Sequence, residues 1–275
     1  MRKGIPFSKL NGSGNDFLLV DDRAGVMKGI DLPAFVRKVC DRSRSIGADG
    51  AIFIATSRTA DFRWNFFNAD GSVAEMCGNG GRCAARFAAE RRIARRRLAF
   101  ETLAGLIRAE VSGRRVKLQM TRPRGLVLGK TLTLKGKRIE YSFVNTGVPH
   151  AVIFVPDLEK IDLMGTGRGV RTHRVFAPRG TNVDFARVRD GAVLVRTYER
   201  GVEGETLAFG TGAVAAGILA AAHGLVEPPV SVRTRGGDVL IIHFDAGRAD
   251  FGDVYLEGET SWSYDGVMTE EAYRY

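Results

Sequence analysis

The chain has 275 residues, 44% of them hydrophobic, and a formal net charge of +10. This length and composition predict a folded protein with one large domain or two of ordinary size. The longest apolar run is about half of the roughly 20 residues that a membrane span needs, and the first residues lack the apolar core of a signal peptide. We therefore expect a cytoplasmic protein without a membrane partner.

Ten short runs predict β-strands, because Gly, Asp and Asn turns bound them. In chain order they read DFLLVDD, GAIFIAT, FRWNFF, RVKLQM, HAVIFV, NVDFARV, AVLVRTYE, SVRT, DVLIIHF and DVYLEGE. One helix is predicted at LPAFVRKVCDR, with Asp31 as N-cap and Pro33 in its first turn. Two alanine-rich helices are predicted at GNGGRCAARFAAERR and GTGAVAAGILAAAHG. The excess of strands indicates an α+β fold.

An internal repeat organises these elements. Residues 77–92 overlay residues 209–224, with glycines and alanines matched at five positions. At nearly the same offset, GNDFLLV falls on GVPHAVIFV and DGAIFI falls on TNVDFARV. We therefore predict two pseudo-symmetric domains, each a curved, mostly antiparallel or mixed sheet wrapped around a central helix. The predicted domains are residues 1–122, to which 260–275 return, and residues 123–259, joined near TRPRGLVLGK.

The two glycine-led helix starts are the predicted chemical centres. Backbone N–H groups at a helix start bind carboxylate, and a thiol placed there becomes more acidic. Cys77 directly precedes the first of these helices, whereas Phe209 precedes the second. If similar halves face each other, the two helix starts lie on opposite walls of one cleft and stabilise the enolate-like charge left by loss of an α-proton.

The other reactive or charged side chains have plainer interpretations. Three cysteines are too few, and odd in number, for a disulfide framework, so we expect Cys40 and Cys83 to be core residues. The four histidines are far apart in the sequence, which argues against a metal site. Five arginines between Arg91 and Arg97 raise the possibility of nucleic-acid binding, but no stacking aromatics accompany them, so we expect the solvated end of a helix and no nucleic-acid partner.

The chain resembles diaminopimelate epimerases over essentially its whole length. The resemblance rests on FSKLNGSGNDFLLVD, FFNADGSVAEMCGNGGRCAARF, VNTGVPHAVIFV, GTNVDFARV and YERGVEGETLAFGTGAVAAG, in this order. It implies a homodimer that epimerises L,L-diaminopimelate to the meso form for lysine and peptidoglycan synthesis. It also implies acid and base chemistry by two cysteine thiols, with no pyridoxal phosphate or other cofactor.

The resemblance also assigns residues, one position at a time. Cys77 matches one catalytic cysteine, and Phe209 occupies the position of the other. His150 and Glu199 would tune the proton affinity of the thiols. The substrate-binding set would be Asn68 and Glu199 for the reacting amino group, the backbone of Gly78, Asn79, Gly210 and Thr211 for its carboxylate, and Asn15, Asn182 and Arg200 for the far end.

Without the resemblance, these residues have simpler roles. The three asparagines beside turns are more often turn formers than ligands. Glu199 with Arg200 could be a surface ion pair, and His150 a satisfied residue at a strand start. Val148 and Gly50 also depart from the family pattern, which weakens the assignment of the far-end pocket.

Phe209 is the departure that matters most, because a phenyl ring has no proton to give or take. Inversion without a cofactor needs a base on one side of the α-carbon and an acid on the other, so strongly impaired epimerisation is predicted. Three explanations stay open: a variant inactivated to trap a bound state, a one-base relative that catalyses proton exchange or elimination, and a non-catalytic amino-acid-binding protein.

Two further protein classes are less consistent with the sequence. GTGAVA fits a dinucleotide-binding glycine pattern, but no alternating βαβ pattern surrounds it. A cysteine hydrolase that uses Cys77 with His150 would need an Asn or Asp to orient the histidine, and the sequence does not identify one.

Overall fold

A computed structural model describes residues 4–247 and 251–275. The chain folds into two units, Met1–Leu118 with Gly258–Tyr275, and Gln119–Glu257. The elements that lie wholly or mostly in the first unit are β1 (Ile5–Gly12), β2 (Asn15–Asp21), α1 (Leu32–Val39), β3 (Gly50–Ala55), β4 (Phe62–Asn68), α2 (Gly78–Glu90), β5 (Arg97–Thr102), β6 (Gly105–Ser112), β7 (Arg115–Gln119) and β17 (Ser261–Met268).

The second unit contains the remaining strands and helices. They are β8 (Arg124–Leu134), β9 (Lys137–Asn145), β10 (Pro149–Phe154), α3 (Leu163–Arg171), β11 (Asn182–Arg189), β12 (Ala192–Glu199), β13 (Gly204–Thr206), α4 (Gly210–Ala222), β14 (Val230–Arg233), β15 (Val239–His243) and β16 (Tyr255–Glu259). Short 3₁₀ turns cover Arg174–Phe176 here and Glu270–Ala272 in the first unit.

The two units have the same strand pairing. In the first, the order is β17, β1, β2, β3, β4, β5, β6, β7, with the β2–β3 and β4–β5 pairs parallel and the others antiparallel. In the second, the order is β8, β9, β10, β11, β12, β14, β15, β16, with the β10–β11 and β12–β14 pairs parallel and the others antiparallel. The predicted repeat and the α+β class are therefore confirmed.

The alanine-rich helices lie inside their own sheets, as predicted. Helix α2 packs against β1, β2, β3 and β6, and α4 packs against β9 to β12, β14 and β15. Residues 212–220 of α4 are all buried. A Cβ added to Gly81 would lie 2.9 Å from Leu118 Cδ2 of β7, and one added to Gly217 would lie 3.3 Å from Ile242 Cγ1 of β15. The small side chains let each helix approach the strands closely.

The inner parallel strands are buried on both faces, which explains their nearly continuous apolar sequences. Leu18 and Val20 of β2 join the apolar cluster around α1, while Phe17 lies beneath Gly80 of α2. The same alternation in the second unit places Ile153 against α3 and His150 against α4. Side chains at alternate positions of these strands therefore reach the helix starts.

Each of the ten predicted strands forms, with limits shifted by about two residues or fewer. Seven further strands were not predicted: β1, β5, β6, β8, β9, β13 and β17. Helix α3 was also missed, because Gly165, Gly167 and Gly169 lower its intrinsic helix propensity. It forms with Asp162 as N-cap, and Gly167 permits close contact with Tyr198.

The arginine run begins at the solvated C-terminal end of α2, as expected, but most of it lies beyond the helix. Helix α2 stops at Glu90, with Arg91 as its C-cap, and Arg92 adopts a φ of +58°. The following arginines form the turn that leads to β5, which begins at Arg97. Arg91 pairs with Asp265 and lies over the ring of Trp262, 5.1 Å from its centroid. Among the described residues, no helix is both long enough and apolar enough to cross a membrane.

Candidate active site

The N-caps of α2 and α4 have the same backbone conformation but different side chains. Cys77 has φ −142° and ψ 121°, and Phe209 has φ −133° and ψ 106°. The Sγ atom of Cys77 accepts a hydrogen bond from the Gly80 N–H at 3.5 Å. The phenyl ring of Phe209 makes no cap hydrogen bond to any described residue. The repeat has therefore kept the helix start in both units and the thiol in one.

A buried polar network ties the start of α2 to the β1–β2 turn. Asn79 Nδ2 donates to Asn15 Oδ1 at 2.7 Å, and Arg82 Nη2 donates to Asn79 Oδ1 at 3.0 Å. The same Nη2 atom donates to Ser13 Oγ at 2.8 Å, and Arg82 is fully buried. The network brings together two of the predicted substrate-binding residues, Asn15 and Asn79.

Asn68 lies at the end of β4 in an exposed position. Its Nδ2 atom donates to Ser72 Oγ at 3.0 Å, and its backbone N–H donates to the Ser72 carbonyl. This is the local bonding of a turn former, and the side-chain amide bonds to Ser72 and not to Asn15 or Asn79. A role in substrate binding is therefore a prediction that rests on the resemblance.

An ion cluster fixes the other side of Asn15. Asn15 Nδ2 donates to Asp49 Oδ2 at 3.1 Å. Arg42 bridges Asp49 to Asp16, at 2.8 and 2.6 Å, and Lys9 lies 3.0 Å from Asp16. Burial by itself would raise the pKa of Asp16, but hydrogen bonds from Arg42 and Lys9 outweigh it and lower the pKa to about 2.

This cluster makes folding stability depend on pH in the acid range. The pKa of Asp16 is below its unfolded value of 3.8, so its stabilisation is present above that pH and is lost as the pH falls through about 2. We expect Asp16→Asn to lower the free energy of unfolding by about 2 kcal/mol at neutral pH, with the deficit shrinking toward pH 2. Denaturant unfolding of the variant and the unaltered chain at several pH values measures this difference in the free energy of unfolding. The control is Asp190→Asn at an exposed position; a deficit that does not change with pH would contradict the expectation.

In the second unit, a chain of hydrogen bonds runs from a buried carboxylate to the start of α4. Thr197 Oγ1 donates to Asp184 Oδ1 at 2.6 Å, and Asp184 Oδ2 lies 2.7 Å from His150 Nδ1. His150 Nε2 lies 3.0 Å from Thr211 Oγ1. His150 and Asp184 are completely buried. His150 is therefore more than a residue at a strand start, because one ring nitrogen contacts the Asp184 carboxylate and the other contacts the Thr211 hydroxyl.

Close packing holds the buried carboxylate against α4. A Cβ added to Gly212 would lie 2.5 Å from Asp184 Oδ1. The imidazole ring of His150 also lies beside Phe209, with the ring centroids 5.4 Å apart and the planes tilted by 49°. Thr146 Oγ1 donates to the Thr211 carbonyl at 3.0 Å. The histidine, the phenyl ring and the first turn of α4 therefore form one local cluster.

The remaining predicted residues lie at the ends of β11 and β12. Asn182 Nδ2 donates to the Pro149 carbonyl at 3.0 Å, and its Oδ1 accepts from the Arg200 backbone N–H at 2.8 Å. Arg200 Nη1 donates to the Arg179 carbonyl. Burial raises the pKa of Glu199 above its usual value, and this effect outweighs the lowering by a hydrogen bond with Thr206 and by the nearby His150. Asn182, Arg200 and Glu199 thus occupy one end of this sheet.

Cys40 and Cys83 are buried, as predicted for core residues. Burial raises the pKa of each thiol to about 12. Cys77 is half-buried at its helix start. Position alone therefore separates the candidate base from the two structural cysteines.

Sequence reasoning missed the supporting polar residues, namely Ser13, Asp49, Arg82, Asp184 and Thr197. One signal was available: Asp184 is a charged residue in the run TNVDFARV, whose neighbours are apolar. A carboxylate in a strand that is buried on both faces must have a polar partner, and here the partners are His150 and Thr197. It is the orienting aspartate that the sequence alone did not identify.

The comparisons with known proteins agree along the whole chain. Residues 7–125 and 142–262 match the family model described as Diaminopimelate epimerase. The chain is 49% identical to the diaminopimelate epimerase of Aquifex aeolicus, covering 98% of this chain and 100% of that protein. Its identity to the diaminopimelate epimerase of Archaeoglobus fulgidus is 42%, covering 98% and 99%.

Solved structures with low sequence identity share the fold. The Bacillus anthracis phenazine biosynthesis protein of the PhzF family matches with a TM-score of 0.71 and 14% identity, covering 97% of this chain and 99% of that one. A probable proline racemase from Agrobacterium radiobacter matches with a TM-score of 0.69 and 16% identity, covering 97% and 93%. With the family match and the close relatives, these findings show that the chain belongs to the diaminopimelate epimerase family of isomerases.

Proposed function

We propose that this protein removes and returns the α-proton of diaminopimelate with Cys77 as its base, and that Phe209 strongly impairs inversion to the meso form. The observation that carries the proposal is the position of Cys77 as N-cap of α2, with its Sγ atom hydrogen-bonded to a backbone N–H. A hydrogen bond to sulfur and the positive end of a helix both favour the thiolate over the thiol. The thiolate is the form that can accept a proton.

Binding of the reacting carboxylate follows from the same helix starts. The first N–H groups of a helix have no carbonyl one turn earlier to bond to, and they carry partial positive charge. In α2 these include the N–H groups of Gly78 and Asn79, and in α4 those of Gly210 and Thr211. We assign them to the substrate carboxylate, where they would stabilise the enolate-like charge that forms as the proton leaves. The chemistry then requires no pyridoxal phosphate.

The side chains at the strand ends suit the amino groups and the far end of the substrate. We assign Asn68 and Glu199 to the reacting amino group, because a carboxylate and an amide oxygen both accept from an ammonium. We assign Asn15, Asn182 and Arg200 to the distal amino acid end. A diamine with two carboxylates needs such an anchor, so that one end stays fixed while the other reacts.

Hydrogen exchange in heavy water tests the function without requiring inversion. We expect the unaltered protein to incorporate deuterium at the α-carbon of one configuration of diaminopimelate, with that configuration retained, as one working base predicts. Chiral separation gives the configuration of the product, and mass spectrometry of the separated product gives its deuterium content. The proposal fails if the substrate binds without exchange, which would indicate an amino-acid-binding protein. Loss of ammonia from the substrate would instead indicate an elimination enzyme.

The assembly and location of the protein belong to the same proposal. The family resemblance supports a homodimer that acts in the cytoplasm on a small amino acid. Light scattering coupled to size-exclusion chromatography measures the oligomeric state directly. A molar mass near the 29.9 kDa of one chain would contradict the dimer.

A further inference from the structure

The hydrogen-bonded chain in the second unit has the order of a catalytic triad. A carboxylate, Asp184, lies 2.7 Å from one imidazole nitrogen of His150, and a hydroxyl, Thr211 Oγ1, lies 3.0 Å from the other. Thr211 is the second residue of α4 and is half-buried, whereas the histidine and the aspartate are completely buried. Thr211 is therefore the most exposed of these three residues.

The buried carboxylate determines which imidazole nitrogen carries a proton. Asp184 also accepts a hydrogen bond from Thr197 Oγ1, so it is held as an acceptor on both oxygens. A carboxylate beside Nδ1 keeps the proton on that nitrogen and directs Nε2 toward Thr211, the same orienting role that aspartate has in serine hydrolases. Nε2 then accepts from the threonine hydroxyl when the ring is neutral and donates to it when the ring is protonated.

We propose that Thr211 carries the proton on the side of the α-carbon that Phe209 leaves without a thiol, with His150 as the proton store behind it. The proposal rests on the function proposed above and names a further catalytic residue for that reaction. His150 and Asp184 act through Thr211 and are positioning residues. Thr211 belongs to the helix turn whose N–H groups we assign to the reacting carboxylate, so its hydroxyl lies near the carbon to be protonated.

The proton balance is simple. The O–H bond of Thr211 breaks as a C–H bond forms at the carbanion, and the Nε2–H bond of protonated His150 breaks as the threonine O–H bond is restored. The substrate loses one negative charge, and the imidazolium loses its positive charge while Asp184 remains ionised. Turnover leaves Cys77 protonated and His150 neutral, so the thiol then releases a proton to solvent and the imidazole regains one from solvent through the Thr211 hydroxyl. In the reverse direction the same atoms take a proton from the α-carbon. An aliphatic hydroxyl is a weaker acid than a thiol, so the relay supports only slow inversion.

The neighbours of His150 fit this role. Asp184 is the anion bonded to the ring, and Glu199 lies close enough to interact with it electrostatically. The third neighbour is Phe209, whose ring centroid lies 5.4 Å from that of the imidazole and contributes no donor. Thr211 is accordingly the hydroxyl through which the imidazole can reach substrate bound at the helix start.

The test compares two variants of Thr211 in two backgrounds. In the unaltered chain, we expect Thr211→Val to lower kcat for epimerisation at least about tenfold with little change in KM, and Thr211→Ser to keep it within about threefold. In a Phe209→Cys background, the loss of kcat on Thr211→Val should be at least about threefold smaller than in the unaltered chain, because the thiol then provides the proton. Conversion of L,L-diaminopimelate to the meso form is followed by chiral chromatography.

Two controls separate a catalytic role from a structural one. Thr146→Val removes a hydrogen bond to the carbonyl of Thr211 but leaves the contact to His150, so it should change kcat less than Thr211→Val does. Deuterium exchange that depends on Cys77 should persist in Thr211→Val. The exchange measurement therefore tests the proposed function independently of the relay.

The relay is overturned if the unaltered chain shows no inversion at all, or if Thr211→Val leaves kcat unchanged. It is also overturned if the valine variant loses as much activity in the Phe209→Cys background. If deuterium exchange is absent from every variant, the proposed function fails together with the relay, and the exchange measurement identifies that case.

Discussion

Phe209→Cys should raise the rate of diaminopimelate epimerisation by about 10²- to 10⁴-fold, the usual contribution of a positioned acid or base. The backbone at position 209 already has the extended conformation that Cys77 has in the first unit. A cysteine there can accept a hydrogen bond from the N–H of Gly212, as Cys77 does from Gly80. On the proposed function, the substitution would supply the missing acid, and the backbone conformation of the helix start already suits it.

The matched control is Phe209→Ala. It removes the ring and any crowding of the substrate but adds no acid, so it should stay far below the cysteine variant. Initial rates are measured for both variants and the unaltered chain, from L,L-diaminopimelate in the forward direction and from the meso form in the reverse direction. Equal gains from alanine and cysteine would show that the ring obstructs binding and that the missing thiol is not the cause of slow turnover.

Cys77→Ala is the second large effect that we expect. Removing the base proposed for exchange with retention should lower α-deuterium incorporation by at least about 10²-fold, because the proposed Thr211 relay acts on the other side of the α-carbon and the thiols of Cys40 and Cys83 are buried. The control is Cys83→Ala, six residues further along the same helix. Its thiol is buried, and burial raises its pKa to about 12, so its loss affects packing and leaves the exchange intact.

Mass spectrometry of the substrate after a fixed time in heavy water reads out both cysteine variants. Thermal unfolding of the same samples shows whether either substitution disturbs the fold. Exchange that survives in Cys77→Ala and disappears in Cys83→Ala would reverse our assignment of the base.

The sequence was sufficient for the repeat and for the helix starts, because both depend on local signals. Glycines and alanines at matched positions in residues 77–92 and 209–224 reflect helices that must lie inside a sheet. Strands β8 and β9 were not recognised, since most of the residues of β8 are exposed and do not alternate. Gly125 and Gly129 have positive φ angles within β8, so the segment resembles a linker in composition.

The buried polar contacts near the two helix starts join residues that are far apart in the sequence, and no local pattern indicates such pairs. His150 and Asp184 are 34 residues apart and meet because β10 and β11 run parallel. The fully buried Arg82 likewise depends on Ser13, which is 69 residues away. Resemblance to a family located Cys77, His150 and Phe209, but it did not indicate that Thr211 and Asp184 bond to opposite sides of one imidazole.

The shared N-cap conformation has an evolutionary consequence. Phenylalanine and cysteine codons differ at a single nucleotide, and the main chain at position 209 already suits either residue. The thiol is therefore one mutational step away and needs no compensating change. A lineage that carries this phenylalanine would regain the thiol quickly under selection for fast turnover, so persistence of the phenyl ring in related genomes would indicate that slow turnover or binding is sufficient for the cell.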